Sequence, residues 1–324
     1  MDAALSRERR RNAADASPRG EALRSAPPLP PDAPLEMPVQ SFASGVRGEP
    51  GDGPRSIRLR RFALLAASAA FTTFAAHEMY LVLQVAGLTL LEQVVLVLFV
   101  VLFAWVAFSF VINVVGFVLS LSPRSPALAI DAAGPLPALS SRTALLFPVY
   151  NESAAAVMAR LQALYESLAE AQALPHFDFF VLSDTTKPDV WMAEEAAFLK
   201  IRANTAGHER IFYRHRRHNE GRKAGNIADW VRRFGARYDF MVVLDADSLM
   251  RGDTLVRLAG AMERSPRVGL IQTLPVIVNA STIFARLQQF ANRLYGPMLG
   301  RGLAWWHGSE SNYWGHNAIL RTRA

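Results

Sequence analysis

The chain has 324 residues, of which 51% are hydrophobic and only 19% charged, with a formal net charge of +7. It is more apolar than an ordinary soluble domain, and its length suits one large domain or two ordinary ones. Cys is absent, which excludes a disulfide scaffold, Cys-ligated zinc, an iron–sulfur cluster and a thiol nucleophile. The basic excess is carried almost wholly by Arg, since the lysines are Lys187, Lys200 and Lys223. Such a balance suits nucleic acid, anionic lipid or a phosphorylated ligand, and composition does not choose among them.

Residues 1–56 are rich in Ala, Pro, Arg and Ser, and Ser25–Pro38 reads SAPPLPPDAPLEMP. No apolar period survives so many prolines, so the segment is expected to be a disordered tail. The cluster Arg7, Arg9, Arg10 and Arg11 could touch nucleic acid, but a solvated cytosolic tail is the favoured reading, and no nucleic-acid partner is expected.

Residues 57–122 are expected to form a transmembrane hairpin, with spans at about 62–86 and 94–121. The second run, Val94–Leu121, carries no charge and exceeds the roughly 20 apolar residues a spanning helix needs. The first is interrupted by His77 and Glu78, which must sit near an interface. Arg55, Arg58, Arg60 and Arg61 precede the first span and Arg124 follows the second, while the connection carries only Glu92. The positive-inside rule then puts the N-terminus and everything beyond the hairpin in the cytoplasm.

From residue 125 to 324 apolar runs alternate with amphipathic stretches. Strands are predicted at Thr143–Val149, Phe177–Ser183, Arg210–His215, Tyr238–Leu244 and Val268–Leu274, with helices at Ala154–Ala171, Val190–Arg202, Asn226–Phe234 and Thr254–Arg264. This is the pattern of an α/β domain with a mostly parallel sheet covered on both faces, and such sheets bind ligands where their strands end.

The polar residues sit at those ends. Pro148, Tyr150, Asn151 and Glu152 follow the first strand, and Asp184, Thr185, Thr186, Lys187 and Asp189 the second. His218, Asn219, Arg222, Lys223, Gly225 and Asn226 follow the third, and Asp245-Ala246-Asp247 the fourth. Two carboxylates straddling one small residue after a buried strand suit Mg²⁺ or Mn²⁺, whose shell phosphate and water complete. An isolated DxD is more often a solvated turn; its position after MVVL argues otherwise. Lys223 beside glycine at a helix start suits a diphosphate, although a surface loop cation has the same local signature. Tyr150 and Glu152 could hold a base and ribose, with helix capping the plainer role for Glu152; a turn is the plainer role for Asp184. Interface or core packing suits Trp305 and Trp306, and His215, His218, His307 and His316 lack a metal-ligand spacing.

In order and spacing, FPVYNE, the Asp184 loop, KAGN, DAD and IQT resemble the motifs of family 2 inverting glycosyltransferases with a Rossmann-like GT-A fold, in particular the membrane-embedded, cellulose-synthase-like branch. SDTTKPD, RRHNEGRKAGNIADW and YWGHNAILR are more specifically similar to the glucans biosynthesis glucosyltransferase H family. The resemblance covers about residues 57–324. It implies an inverting glucosyltransferase of the bacterial inner membrane that uses UDP-glucose to extend the glucan backbone of osmoregulated periplasmic glucans. Its partners would be UDP-glucose, the growing glucan acceptor, membrane lipid and periplasmic glucan-processing proteins. Tyr150, Glu152 and Asp184 are implied to contact uridine and Lys223 to face the UDP moiety. Asp245 and Asp247 are implied to hold the nucleotide and its Mg²⁺ or Mn²⁺. Gln272-Thr273 and Trp314-Gly315-His316 are implied to line the acceptor side.

The resemblance has a gap: no TED-like or QxxRW-like motif occurs before Ala324. The general base is therefore expected beyond Ala324, with the GT-A domain incomplete at this C-terminus. Rival readings are another membrane family 2 enzyme acting processively or on a lipid phosphate, a dehalogenase-like phosphohydrolase using the DxD, and a non-catalytic membrane protein binding polyanions through its basic tail.

Overall fold

The computed structural model describes residues 29–37, 56–121, 128, 130–131, 133–205, 208–310 and 312–324. The Arg7–Arg11 cluster, Arg55 and Arg124 lie outside these. The chain divides into two compact units, one built on residues 128–271 and 313–324 and joined by the described residues 29–37, the other on residues 56–121 and 272–312.

The first unit is an α/β layer structure. Its strands are β1 (Thr143–Val149), β2 (Phe177–Ser183), β3 (Ile211–His215), β4 (Phe240–Val243), β5 (Leu270–Gln272) and β6 (Ala318–Arg321), in the order β3-β2-β1-β4-β6-β5. β1, β2, β3 and β4 run parallel, and β6 is antiparallel to β4. The helices are α3 (Ala154–Glu170), α4 (Pro188–Asn204), α5 (Arg222–Phe234) and α6 (Gly252–Arg264); α1 and α2 belong to the other unit.

Side chains alternate across each strand, so the continuous apolar runs feed two separate cores. Leu145, Phe147 and Val149 of β1 join Phe177, Phe179 and Val181 of β2 beneath α3, α4 and α6. Ala144, Leu146, Phe180 and Leu182 face the other way, onto Trp230, Val231 and Phe234 of α5. Among the described residues that second face carries one helix, and residues of the N-terminal segment lie beside it. Leu29 and Leu35 pack into the second core, and the Ala33 amide donates to the Arg233 carbonyl (2.7 Å) while the Ala236 amide donates to Ala33 (3.1 Å). The expectation of a disordered tail therefore fails over residues 29–37. Prolines forbid helix and central strand there, but not an extended segment lying along a surface.

Two further differences concern the elements themselves. β6 was not anticipated: four residues, AILR, give no period to detect, and they enter the sheet because the antiparallel edge of β4 is open to them. The KAGN helix begins at Arg222, not Asn226, so Lys223 lies in its first turn. Gly225 argues against helix by propensity. It is required because a Cβ there would come within 2.0 Å of the Glu220 carbonyl oxygen.

The second unit contains α1 (Ile57–Leu83), α2 (Leu90–Ser120) and α7 (Ile283–His307). α1 and α2 are long and apolar enough to cross a membrane, with mean hydropathies of 1.2 and 3.0 over their best windows. Their apolar stretches are largely exposed, 11% and 17% buried, unlike the mostly buried core helix of a soluble fold. α1 starts five residues before the expected span and ends at Leu83, with a 3₁₀ turn over Gln84–Ala86. α2 is started by a capping box between Thr89 and Glu92, which accounts for the single acidic residue in that connection. α2 and α7 cross closely through glycines. A Cβ on Gly116 would meet the Met298 carbonyl oxygen at 1.8 Å, and one on Gly302 the Ile112 carbonyl oxygen at 2.2 Å. Trp306 packs edge-on against Phe108 (5.6 Å between centroids), and Arg60 and Arg61 lie over Trp305 and Trp306. The two tryptophans are thus core and cation–π residues of this helical unit.

Candidate functional site

The C-terminal ends of β1, β2 and β4 and the start of α5 enclose a crevice of about 650 Å³. Tyr150, Glu152, Asp184, Lys223, Asp245 and Asp247 all line it, with Asn219 and Arg222 beside them. Four loops separated by up to nearly a hundred residues thus deliver six sequence-selected side chains to one place, as a parallel sheet dictates.

Asp184 is 4% exposed, and both its carboxylate oxygens receive Arg216: Nε at 2.7 Å and Nη2 at 2.8 Å. The pairing holds the Arg216 guanidinium above its ordinary range. The same Nη2 reaches the carbonyls of Glu220 and Arg222, each at 3.3 Å. Those carbonyls belong to a turn in which Gly221 (φ 65°) and Arg222 (φ 50°) are both left-handed, a conformation a non-glycine residue adopts only when its surroundings enforce it. Arg216 therefore supports both Asp184 and the turn that launches Lys223. The sequence reading passed over it, because RHRRHN offers several arginines and no pattern to separate them.

Lys223 Nζ pairs with Asp245 Oδ1 and donates to the Gly315 carbonyl (2.7 Å). It thereby joins the DAD turn to the YWGHN segment. His316 Nδ1 lies 3.9 Å from the other Asp245 oxygen. Tyr313 also feels this carboxylate: burial, then the charge of Asp245, pushes its phenol up to about 12. Trp314 stands half exposed next to these residues and outside the crevice lining, and Gln272 ends β5, also outside it. The structure thus brings His316 to the site by way of Asp245, and does not bring Gln272 or Trp314 to its wall.

The DAD turn is set from behind. Leu244 donates its amide to Leu146 (2.9 Å), Ser248 closes the turn onto the Asp245 carbonyl (3.0 Å), and Arg160 Nη1 holds the Ala246 carbonyl (2.8 Å). Asp247 is exposed into the crevice, and no described group bonds its carboxylate. Among the described residues no three His, Cys, Asp or Glu side chains form a ready-made metal cage. Two carboxylates on one turn, one with no bond from a described group and one paired with a partly exposed lysine with His316 nearby, fit a hard cation that draws its other ligands from phosphate and water.

Asn226 has a different role from Lys223. It is fully buried, donates to the Leu182 carbonyl (3.0 Å), and accepts from Arg214 through both its backbone and side-chain oxygens. Burial lowers Arg214 to about 10, with Asp229 opposing the shift. The asparagine of KAGN thus ties α5 to the end of β2.

Residues 145–324 match the model of glycosyl transferase family 2. The chain is 57% identical over 299 residues to "Glucans biosynthesis glucosyltransferase H" of Rhodopseudomonas palustris BisA53, covering 92% of the chain and 42% of that protein. It is 54% identical over 301 residues to the protein of the same name from Xanthomonas campestris pv. campestris B100, covering 92% of the chain and 46% of that protein. The chain thus spans less than half the length of these curated relatives. A mannosyltransferase from Pyrobaculum calidifontis, solved with GDP-Man and Mn²⁺, aligns with 52% of the chain and 45% of its own at a TM-score of 0.39 and 20% identity. The GT-A-type α/β unit, its crevice and the family match converge on one assignment: the chain belongs to glycosyl transferase family 2.

Proposed function

We propose that this chain is the donor-binding part of a membrane glucosyltransferase that transfers glucose from UDP-glucose, with inversion, to a growing glucan of the periplasmic type. The observation that carries the reading is the single crevice in which Tyr150, Glu152, Asp184, Lys223, Asp245 and Asp247 meet. The names of the 54–57% identical relatives support the glucosyl transfer.

In this reading Tyr150 stacks on the base, and Glu152 and Asp184 accept from base and ribose. Lys223, at the N-terminus of α5, faces the diphosphate, where the helix dipole adds to its charge. Asp247 and Asp245 would hold Mg²⁺ or Mn²⁺, which when bound offsets the charge that builds on the departing UDP. His316 and the Trp314–Gly315 turn lie toward the acceptor. A general base to take the acceptor hydroxyl proton is assigned to no residue up to Ala324. α1 and α2 anchor the enzyme in the inner membrane as a hairpin, with the crevice on the cytoplasmic side where the nucleotide sugar is made.

Competition binding tests the donor. UDP and UDP-glucose should displace a fluorescent uridine nucleotide at least tenfold more effectively than ADP or CDP counterparts. Equal displacement by all of them would contradict the uridine assignment.

A further inference from the structure

Glu194 belongs to no motif in the sequence, yet its carboxylate is 2% exposed in the middle of α4. It accepts three hydrogen bonds: from Ser183 Oγ (2.6 Å), Thr185 Oγ1 (2.6 Å) and the Tyr213 hydroxyl (3.1 Å). Burying a carboxylate is costly, and an apolar residue would fill this space more cheaply. Two of the three donors are the residues that flank Asp184.

Direction matters as much as distance. A carboxylate only accepts, so Thr185 must spend its one hydroxyl proton on Glu194. Its oxygen is then free to accept the backbone N–H of Asn151, and does so at 3.0 Å. Asn151 sits between Tyr150 and Glu152 in a left-handed conformation (φ 54°). It closes the connection from the other side: its Oδ1 accepts from the amides of Thr186 (3.3 Å) and Lys187 (3.2 Å). Glu194, Thr185 and Asn151 therefore form one polar chain. It runs from the interior behind β2 to the loop after β1.

We infer that Glu194 is a positioning residue that clasps the β1 and β2 loops together, so that Tyr150, Glu152 and Asp184 meet a nucleoside as one preset surface. It touches no ligand itself and acts through Thr185. The inference rests on the donor-site reading for its ligand, and on the hydrogen-bond chain alone for the clasp.

Two measurements on the detergent-solubilised chain separate these. Uridine affinity and backbone hydrogen exchange are followed well below the unfolding temperature for Thr185→Val, Thr185→Ser and Glu194→Gln. Thr185→Val removes the hydroxyl at nearly constant volume, Thr185→Ser restores it, and Glu194→Gln turns one acceptor into a donor. Thr185→Val and Glu194→Gln should weaken uridine roughly tenfold and speed exchange at the Asn151 amide, with Thr185→Ser close to wild type in both. Unchanged exchange at Asn151 in Glu194→Gln overturns the clasp, because Glu194 has no direct contact with that amide. A Thr185→Ser variant as impaired as Thr185→Val overturns it too, since only packing would then matter. If Glu194→Gln fails to fold, the Thr185 pair still decides. If the wild type binds no uridine, the donor-site reading falls, and the exchange data alone uphold or overturn the clasp.

Discussion

Lys223 and Asp245 neutralise each other across the crevice while both stay more than a third exposed. An ion pair with that much solvent contributes about 1 kcal/mol or less, so a diphosphate or a cation can exchange for either partner at small cost. In the proposed donor site the pair would be a placeholder, unlike Asn226, the buried neighbour of Lys223 in the same motif. Lys223→Ala should weaken UDP by roughly 10–100-fold, the range for losing a charge-assisted contact, and leave uridine within about twofold. Calorimetry with both ligands checks this, and equal losses would move Lys223 to the base or ribose. The nearby carboxylates were visible in the sequence because strand-end position singles them out. Arg216 and Glu194 were not visible. One is hidden among neighbouring arginines and the other on an ordinary helix face, and only the fold shows that each is bonded to the Asp184 loop.

At the scale of elements, the four parallel strands could be read as apolar runs because both their faces are buried, and their edges fall close to those expected. What resisted reading depends on tertiary contact. β6 is too short to carry a period, and residues 29–37 gain order only by packing beside α5 on the second core. α7 keeps Pro297 in its interior, which as a sequence signal argues against a helix. Its path is fixed by the close crossing with α2. Gly302→Val should therefore be destabilising, because the added side chain meets backbone, which cannot give way as a flexible side chain can. A loss of about 2 kcal/mol or more, read as a lower midpoint for the helical unit in detergent, is the expected outcome. A midpoint equal to wild type would show that the helices separate without cost.

In the proposed topology Arg55, together with Arg58, Arg60 and Arg61 at the start of α1, and a connection to α2 without basic residues put both ends of the hairpin on the cytoplasmic side. The proposed donor requires the crevice to face that side as well. Reporter fusions near Ser44 and after Pro126 should both report cytoplasm, and one near Thr89 the periplasm. A periplasmic signal after Pro126 would mean that α1 does not cross, with His77 and Glu78 the reason, and would remove the donor from reach.

Mn²⁺-dependent UDP binding tests the central claim most directly, since it needs the DAD turn, Lys223 and the uridine loops at once. Titration of the purified chain should give saturable UDP binding that requires Mn²⁺ or Mg²⁺, is lost on chelation, and weakens at least tenfold in Asp247→Asn, which keeps the side chain's shape and removes its charge. UDP affinity unchanged by chelation and by Asp247→Asn would contradict the account.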